Sequence, residues 1–594
     1  MTRKKRAVPI EALMRGIGVS HGEAVGPALV IKAEEDHFVE REIGPDEIDR
    51  EVLRFERAVI ATRRQIKDIQ HHVGGAIGKG DARILDVHLM VLDDGFFLEE
   101  AIQKIRDSRR NAESAVKLSA QKYAEALSTV EDEYLRERVA DIRDVARRIL
   151  RNLSGRQGSP VSEIRKKSIL VASDLGPSET AMLRRDLVLA FATDFGSGLS
   201  HTAIMARALG IPAVVGLHDV TQRVSAGDDI LVDGDKGIVV VHPSAACLEQ
   251  YGKMIEARQK LRRDLITTLR DQPAVTVDGH RIVLSANMEL EEEIEEVRRH
   301  GAEGVGLFRS EFLFLTRGEP PSEEEQFGAY ARVAEALAPD PVIIRTLDSG
   351  GDKLVPSLKL PHEMNPFMGF RAIRFCLAQP ELFKSQMRAI LRASRSRNVR
   401  IMYPMISDVS EVIHANALLD EVRDELRQKR VPFDEQIEVG AMIETPSAAL
   451  TAEAIAPHVK FFSLGTNDLT QYTMAADRVN DMVAYLYMPT HPGVLKLIKH
   501  TIDVAHRHGI WAGVCGEMAG DPLMAPLLLG LGADEFSTAP SVVPLVKSAV
   551  RSLHYSQCVE LAAKALAMDD ASAIVALCRE MVAEAAPEIL ELIA

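Results

Sequence analysis

Among eighteen histidines, His201 stands out by its setting. The apolar run Val188–Thr193 leads into Asp194-Phe-Gly-Ser-Gly-Leu-Ser200. Then His201-Thr-Ala-Ile-Met-Ala-Arg207-Ala-Leu-Gly-Ile-Pro212 reads as a short helix ended by Gly210 and Pro212. Glycines ahead of a helix start leave N–H groups free, and the positive end of the helix dipole faces the same turn. An imidazole there is biased towards its neutral, nucleophilic form, and a phosphoryl group on it would be stabilised. The plainer alternative is a surface cap. Strand–glycine loop–helix is only a general phosphate signal, and here it lacks the lysine of a P-loop.

A second set of polar residues lies at the ends of apolar, strand-like runs. One run ends in Arg309-Ser-Glu311 and the next in Arg345-Thr-Leu-Asp348. Further on come Glu444-Thr-Pro, then Thr466-Asn-Asp468 with Arg478 shortly after, then Cys515-Gly-Glu517. Guanidinium forks match phosphate and carboxylate alike, so Arg309, Arg345 and Arg478 could converge on one phosphorylated, carboxylated anion. Glu444 and Asp468 offer two hard oxygen ligands for Mg²⁺, and Asn467 adds a neutral donor. Cys515 is either a small buried hydrophobe or a thiol able to deliver a proton to a carbanion-like carbon. Singly, each arginine could serve a structural ion pair and each carboxylate a helix cap. Gathered on one rim, so much charge is costly unless it binds something.

The element pattern gathers them. From Val275 onward, β-like runs recur with room for a helix after each: Arg281–Ala286, Gly304–Phe308, Val342–Thr346, Arg400–Pro404, Val439–Ile443, Phe461–Gly465, Trp511–Cys515 and Glu535–Thr538. Eight such alternations predict a (β/α)8 barrel, whose chemistry sits at the C-terminal strand ends. Upstream, glycine-rich short strands occupy about 15–35, and strands return at Ser168–Ala172, Val188–Thr193, Ile230–Val232 and Gly237–Val241. Between them Ile48, Val52, Phe55, Val59, Ile66 and Ile69 share one face, with Thr62 filling a gap in the spacing. With Ala82–Leu92, Ala112–Val130 and the stripe Leu135–Leu153, this predicts a four-helix block inserted into a mixed α/β domain. Ala245 to about Arg270 reads as a charged connector helix.

Composition excludes several classes. The 594 residues suggest about three to five domains. No apolar run approaches the roughly 20 residues of a spanning helix. The basic start lacks the apolar stretch of a secretory signal. Five scattered cysteines form neither a disulfide framework nor a zinc knuckle, so a cytoplasmic protein is expected. A net charge of −15 argues against nucleic-acid binding and leaves open a basic protein partner.

Gly196-Ser-Gly-Leu-Ser-His-Thr-Ala-Ile-Met-Ala-Arg207 resembles the phosphohistidine signature of the phosphoenolpyruvate-utilising enzymes. Asp468-Leu-Thr-Gln-Tyr-Thr-Met-Ala-Ala-Asp-Arg478 resembles their second signature. Gly306–Phe314, Arg345–Lys353, Asn365-Pro-Phe-Met-Gly-Phe-Arg371 and Gly513–Gly520 match as well, so the resemblance spans roughly 15–570. It implies a swivelling phosphohistidine α/β domain (15–44 and 156–244), an inserted helical domain (45–155) that binds an HPr-type carrier, and a linker helix (245–271). A phosphoenolpyruvate-binding TIM barrel (272–572) and a C-terminal helical extension (573–594) follow. By resemblance, His201 is the phosphorylated nucleophile and Cys515 protonates the enolate to pyruvate. Arg309, Arg345, Arg371, Asn467, Asp468 and Arg478 bind substrate, and Glu444 and Asp468 hold Mg²⁺. The implied reaction passes phosphate from phosphoenolpyruvate to His201 and then to the carrier, opening a sugar phosphotransferase relay. A regulatory paralogue or a phosphoenolpyruvate sensor is the alternative. A homodimer through the barrel is implied too. The short stretch before the first strand argues against a nucleotide-binding domain. One departure is Leu199, where the family usually carries Thr; the missing hydroxyl could weaken a hydrogen bond by about 1 kcal/mol.

Overall fold

A computed structural model describes residues 11–20, 22–31, 40–76, 89, 92, 95–128, 133–155, 164–175, 187–196, 203, 206, 211–315, 320–350, 363, 365–478, 480 and 483–593. His201 and Leu199 lie outside these, as does most of the expected helix over 82–92. The chain divides into two compact units, 1–256 and 257–594. No described helix is long and apolar enough to cross a membrane.

Among the described residues the first unit holds eight strands: β1 (Ala12–Arg15), β2 (Ile17–Ser20), β3 (Glu23–Ile31), β4 (Ser168–Ala172), β5 (Val188–Thr193), β6 (Ala213–Val215), β7 (Asp229–Asp233) and β8 (Ile238–Val241). Their order is β1-β8-β7-β3-β4-β5-β6-β2, parallel from β3 to β6 and antiparallel elsewhere. Strands β4 and β5 are apolar at nearly every position because both faces are covered. Leu170 and Phe191 pack into one core, and Ile169, Val171, Ala190 and Ala192 into the other. In the sequence His201 comes eight residues after the end of β5, outside the described residues.

Helices α1 (Ile48–Ala76), α2 (Gly95–Asp107), α3 (Ala112–Ser128) and α4 (Glu133–Leu153) are inserted between β3 and β4. Val52, Phe55, Val59 and Ile66 form the buried stripe of α1. Thr62 fits that stripe because its hydroxyl donates to the Ala58 carbonyl (2.8 Å) and accepts from Asn152 Nδ2 (2.8 Å). Helix α2 was not foreseen: the helix expected ahead of Ala112–Val130 was placed over Ala82–Leu92. The signal for it is the three-four spacing of Leu98, Ala101, Ile102 and Ile105, which pack into the bundle. A further helix, α5 (Ala245–Leu269), covers the stretch expected to be a charged helix.

The second unit is a closed parallel barrel of eight strands: β10 (Arg281–Met288), β11 (Val305–Arg309), β12 (Val342–Arg345), β13 (Val399–Tyr403), β14 (Val439–Ile443), β15 (Phe461–Leu464), β16 (Trp511–Val514) and β17 (Glu535–Thr538). Strand β17 pairs with β10 and β10 with β11, which closes the ring, and the short β9 (Ala274–Val275) lies antiparallel on β10. Each strand falls within two residues of its sequence expectation. Alternate residues face inward, where Leu307, Ile343, Met402, Met442, Phe461 and Cys515 pack together. Phe461 stacks on Trp511 at 4.6 Å, and a Cβ at position 440 would lie 2.3 Å from the Phe461 ring, so only glycine fits there. The C-terminal helices Ala571–Ala585 and Pro587–Ile593 bury Ile574, Cys578, Val582 and Ile589 in the barrel's outer core.

Lys547, on the helix Val543–Ser552, fastens the connector to the barrel. Its buried ammonium donates to the carbonyls of Leu269 (3.1 Å), Arg270 (3.3 Å) and Gly301 (2.7 Å). Lys547→Met would leave these carbonyls without their donor and is expected to destabilise the barrel by about 1–3 kcal/mol. A urea midpoint equal to that of the unaltered chain would contradict this.

Candidate active site

The strand ends form one rim, and most of the polar residues read from the sequence meet there. Arg309 closes β11, and its Nη1 contacts Glu289 Oε1 at 2.6 Å. Arg345 closes β12 and is 4% exposed. Its Nη2 pairs with Glu311 and, at 3.1 Å, with Asp348 Oδ2; its Nη1 lies 3.7 Å from the Met442 sulfur. Asp348 turns its other oxygen to Arg371 Nη2 at 2.9 Å. Arg371 is 1% exposed, and its guanidinium also reaches Tyr472 Oη (3.2 Å) and Asp468 Oδ2 (3.7 Å). Gly350 lets the two chain segments touch: a Cβ there would lie 2.3 Å from that of Arg371.

Glu444 follows β14 and is buried, with Oε1 accepting from the Met405 N–H at 2.6 Å. Burial, then the neighbouring carboxylates Asp468 and Asp348, push its pKa up to about 8 against the pull of Arg345 and Arg371. Asp468 stands in the first turn of the helix Thr466–Met474, where the helix dipole favours a negative charge. Asn467 exchanges two hydrogen bonds with Glu517, donating to Oε1 (3.0 Å) and accepting from its N–H (2.9 Å). Arg478 lies beyond the left-handed Ala475 that ends this helix; its N–H donates to Gln471 Oε1 (3.1 Å), and its side chain engages Tyr487.

Cys515 follows β16 into the barrel's interior cluster, with its thiol 3.6 Å from the Leu464 carbonyl. Burial pushes its pKa up to about 11; a hydrogen bond with Ser463 opposes this and Glu444 adds to it. The thiol is therefore protonated at neutral pH, as a proton donor needs to be. Both buried arginines resist the deprotonation that burial favours. Glu311, Asp348 and Glu444 hold Arg345 well above its usual range, and Asp348 and Asp468 do the same for Arg371.

The arginines are thus engaged in ion pairs, as the structural alternative required. Those pairs do not account for everything. The Nε–H groups of Arg345 and Arg371 and the hydroxyls of Thr346 and Thr466 are buried and have no hydrogen-bond partner among the described residues. A partnerless buried donor is unfavourable, and such groups beside a charged rim suit a ligand able to take them up. Arg345 feels Glu444 and Cys515, Glu444 feels Asp468, and Cys515 feels Arg309, so these residues form one electrostatic cluster. His201 and Leu199 remain outside the described residues. Sequence reasoning noted Glu311 and Asp348 but gave them no role, and it missed Glu289 and Tyr472. The three-residue step from Arg345 to Asp348 was the available signal.

Asp348 pairs with two buried guanidiniums. Asp348→Ala is expected to destabilise the barrel by about 3–5 kcal/mol, and Asp348→Asn, which keeps an acceptor oxygen, by less. Urea denaturation of the full chain checks both, and equal stability of Asp348→Ala and the unaltered chain would contradict the bridge.

Comparison with known proteins supplies the lineage. Residues 15–138 match the family described as PEP-utilising enzyme, N-terminal. Residues 164–237 match its mobile domain, and 263–555 its PEP-binding domain. A phosphoenolpyruvate-protein phosphotransferase of Bacillus sp. (strain S) is 45% identical over 535 residues, 90% of this chain and 92% of that one. The Haemophilus influenzae protein of the same name is 43% identical over 572 residues, 96% and 99% of the two chains. A shorter Enzyme I structure solved by NMR is 37% identical over 41% of this chain and 99% of its own, with a TM-score of 0.37. The chain belongs to the phosphoenolpyruvate-protein phosphotransferases of the PEP-utilising enzyme family.

Proposed function

We propose that the chain transfers the phosphoryl group of phosphoenolpyruvate to its own His201 and then to a histidine of an HPr-type carrier, releasing pyruvate. The observation that carries this reading is the pair Arg345 and Arg371, buried beside Glu444 and Asp468 with Nε–H groups that find no partner among the described residues. Two planar forks next to a carboxylate pair suit a small anion bearing both phosphate and carboxylate. The seven rim residues Arg309, Arg345, Arg371, Glu444, Asn467, Asp468 and Arg478 would bind and orient it.

Glu444 and Asp468 fit Mg²⁺: they are hard oxygen donors, and the crowding that raises Glu444 is relieved by a cation. Mg²⁺, when bound, supplies positive charge against the phosphoryl oxygens. The chain's own residues do the rest. The neutral His201 nitrogen attacks phosphorus in line, the bridging P–O bond breaks, and its electron pair stays on the enolate oxygen. Arg309 and Arg345 hold the transferring oxygens. The enolate carbon then takes the proton of the Cys515 thiol, giving pyruvate, and the thiolate regains a proton from solvent.

His201 would next meet the carrier, with residues 15–44 and 156–244 as the phosphohistidine domain and 45–155 as the docking domain. The segment 245–271 would be the linker, 272–572 the barrel that also forms a homodimer, and 573–594 an extension. The acidic balance of the chain suits a basic carrier surface.

Two measurements test the reading. Incubation with phosphate-labelled phosphoenolpyruvate and Mg²⁺ is expected to give acid-labile, base-stable label that is absent from His201→Ala; label persisting in that variant would refute the nucleophile. At pH 7 the Glu444 carboxyl, raised to about 8, holds a proton that Mg²⁺ must displace. Mg²⁺ affinity is therefore expected to rise about tenfold per pH unit up to about pH 8 and then to level. Calorimetry in buffers of different ionisation enthalpy should register that released proton, and no release at pH 7 would contradict the assignment.

A further inference from the structure

One fully buried amide is spent on the rim without touching it. Gln386 sits on the helix Pro380–Ala393 of the barrel's outer ring, among Phe383, Met387 and Ile390, where the helical period calls for an apolar side chain. It is 0% exposed. Its Oε1 accepts from the Leu347 N–H at 2.9 Å, and its Nε2 donates to Ser310 Oγ at 2.9 Å and to Tyr330 Oη at 3.1 Å. Ser310 lies between Arg309 and Glu311, and Leu347 lies between Arg345 and Asp348 by one residue on its C-terminal side. The amide therefore ties together two neighbouring strand ends. The same two segments are tied a second time by the pairing of Arg345 with Glu311.

We infer that Gln386 is a positioning residue for the anion site, holding the backbone from which Arg309, Glu311 and Asp348 project and so fixing how Arg345 and Arg371 are presented. A buried amide is less favourable in a core than an apolar side chain of the same shape unless its hydrogen bonds are made. Here they are made to the two segments that carry the site. Binding groups need support to within about 0.5 Å, and such support comes from residues behind the ones that touch the ligand. Loss of the tie lets the Arg309 and Asp348 segments drift apart, which weakens substrate capture before it touches proton transfer at Cys515.

The inference rests on the proposed binding of phosphoenolpyruvate at this rim, so the unaltered chain is assayed first; if it does not turn over phosphoenolpyruvate, the proposed function falls and this inference with it. Gln386→Met keeps length and bulk and removes all the bonds. It is expected to raise KM for phosphoenolpyruvate about tenfold, with kcat changed by less than about threefold. The control is Asn398→Leu, ahead of β13 at the opposite end of the barrel, where a buried amide bonds the Ala334 and Asp340 carbonyls and Ser396. It is expected to lower the melting temperature while KM stays within about twofold. If Gln386→Met does not fold, Ser310→Ala removes one bond alone and is expected to raise KM about threefold. A wild-type KM in the folded Gln386 or Ser310 variant overturns the inference. So does a fall in kcat with KM unchanged, or an equal rise in KM in Asn398→Leu.

Discussion

Asp348 is a buried carboxylate shared by two buried guanidiniums, those of Arg345 and Arg371, and the order of the barrel rim follows from that contact. Charges removed from water persist only when paired, and removing one partner strands the other. Each arginine is consequently held at fixed geometry, with Glu311 and Asp468 completing the pairing. What the pairing leaves over is specific: among the described residues, one Nε–H on each arginine has no partner. The lattice thus holds the arginines rigid and still short of hydrogen bonds, the state in which an incoming anion gains most for least reorganisation.

The same lattice sets the balance of charge for a cation. The carboxylates Glu289, Glu311, Asp348, Glu444 and Asp468 crowd the rim around Arg309, Arg345 and Arg371, and burial, with Asp468 and Asp348 adding to it, leaves Glu444 with a raised pKa. Cys515 lies deeper, among apolar neighbours, and burial keeps its thiol protonated. The charged rim and the buried thiol are therefore separated by depth within one barrel, and the strand ends are what bring them close.

Much of this was legible in the chain, for physical reasons that differ by residue. The barrel strands were visible because short, doubly buried parallel strands are continuous apolar runs. Arg309, Arg345, Glu444 and Asp468 were visible because charge directly after such a run has few structural explanations. Arg371 was not: it follows a long connection after β12 rather than a strand end, and only the family resemblance pointed to it. Gln386 and Glu289 were illegible because their meaning lies in contacts with other segments, Gln386 reaching Ser310 across 76 residues. Helix α2 was passed over because its stripe of Leu98, Ala101, Ile102 and Ile105 is short.

The central claim is that the rim passes phosphate to one histidine and leaves a pyruvate that can return. Isotope exchange tests it without the carrier: the chain is incubated with Mg²⁺, unlabelled phosphoenolpyruvate and carbon-labelled pyruvate, and label is sought in phosphoenolpyruvate. A covalent phosphoryl intermediate allows the half-reaction to run backwards. Label should therefore enter phosphoenolpyruvate with the unaltered chain and not with His201→Ala. Exchange that survives loss of His201, or its absence from the active, unaltered chain, would contradict the account.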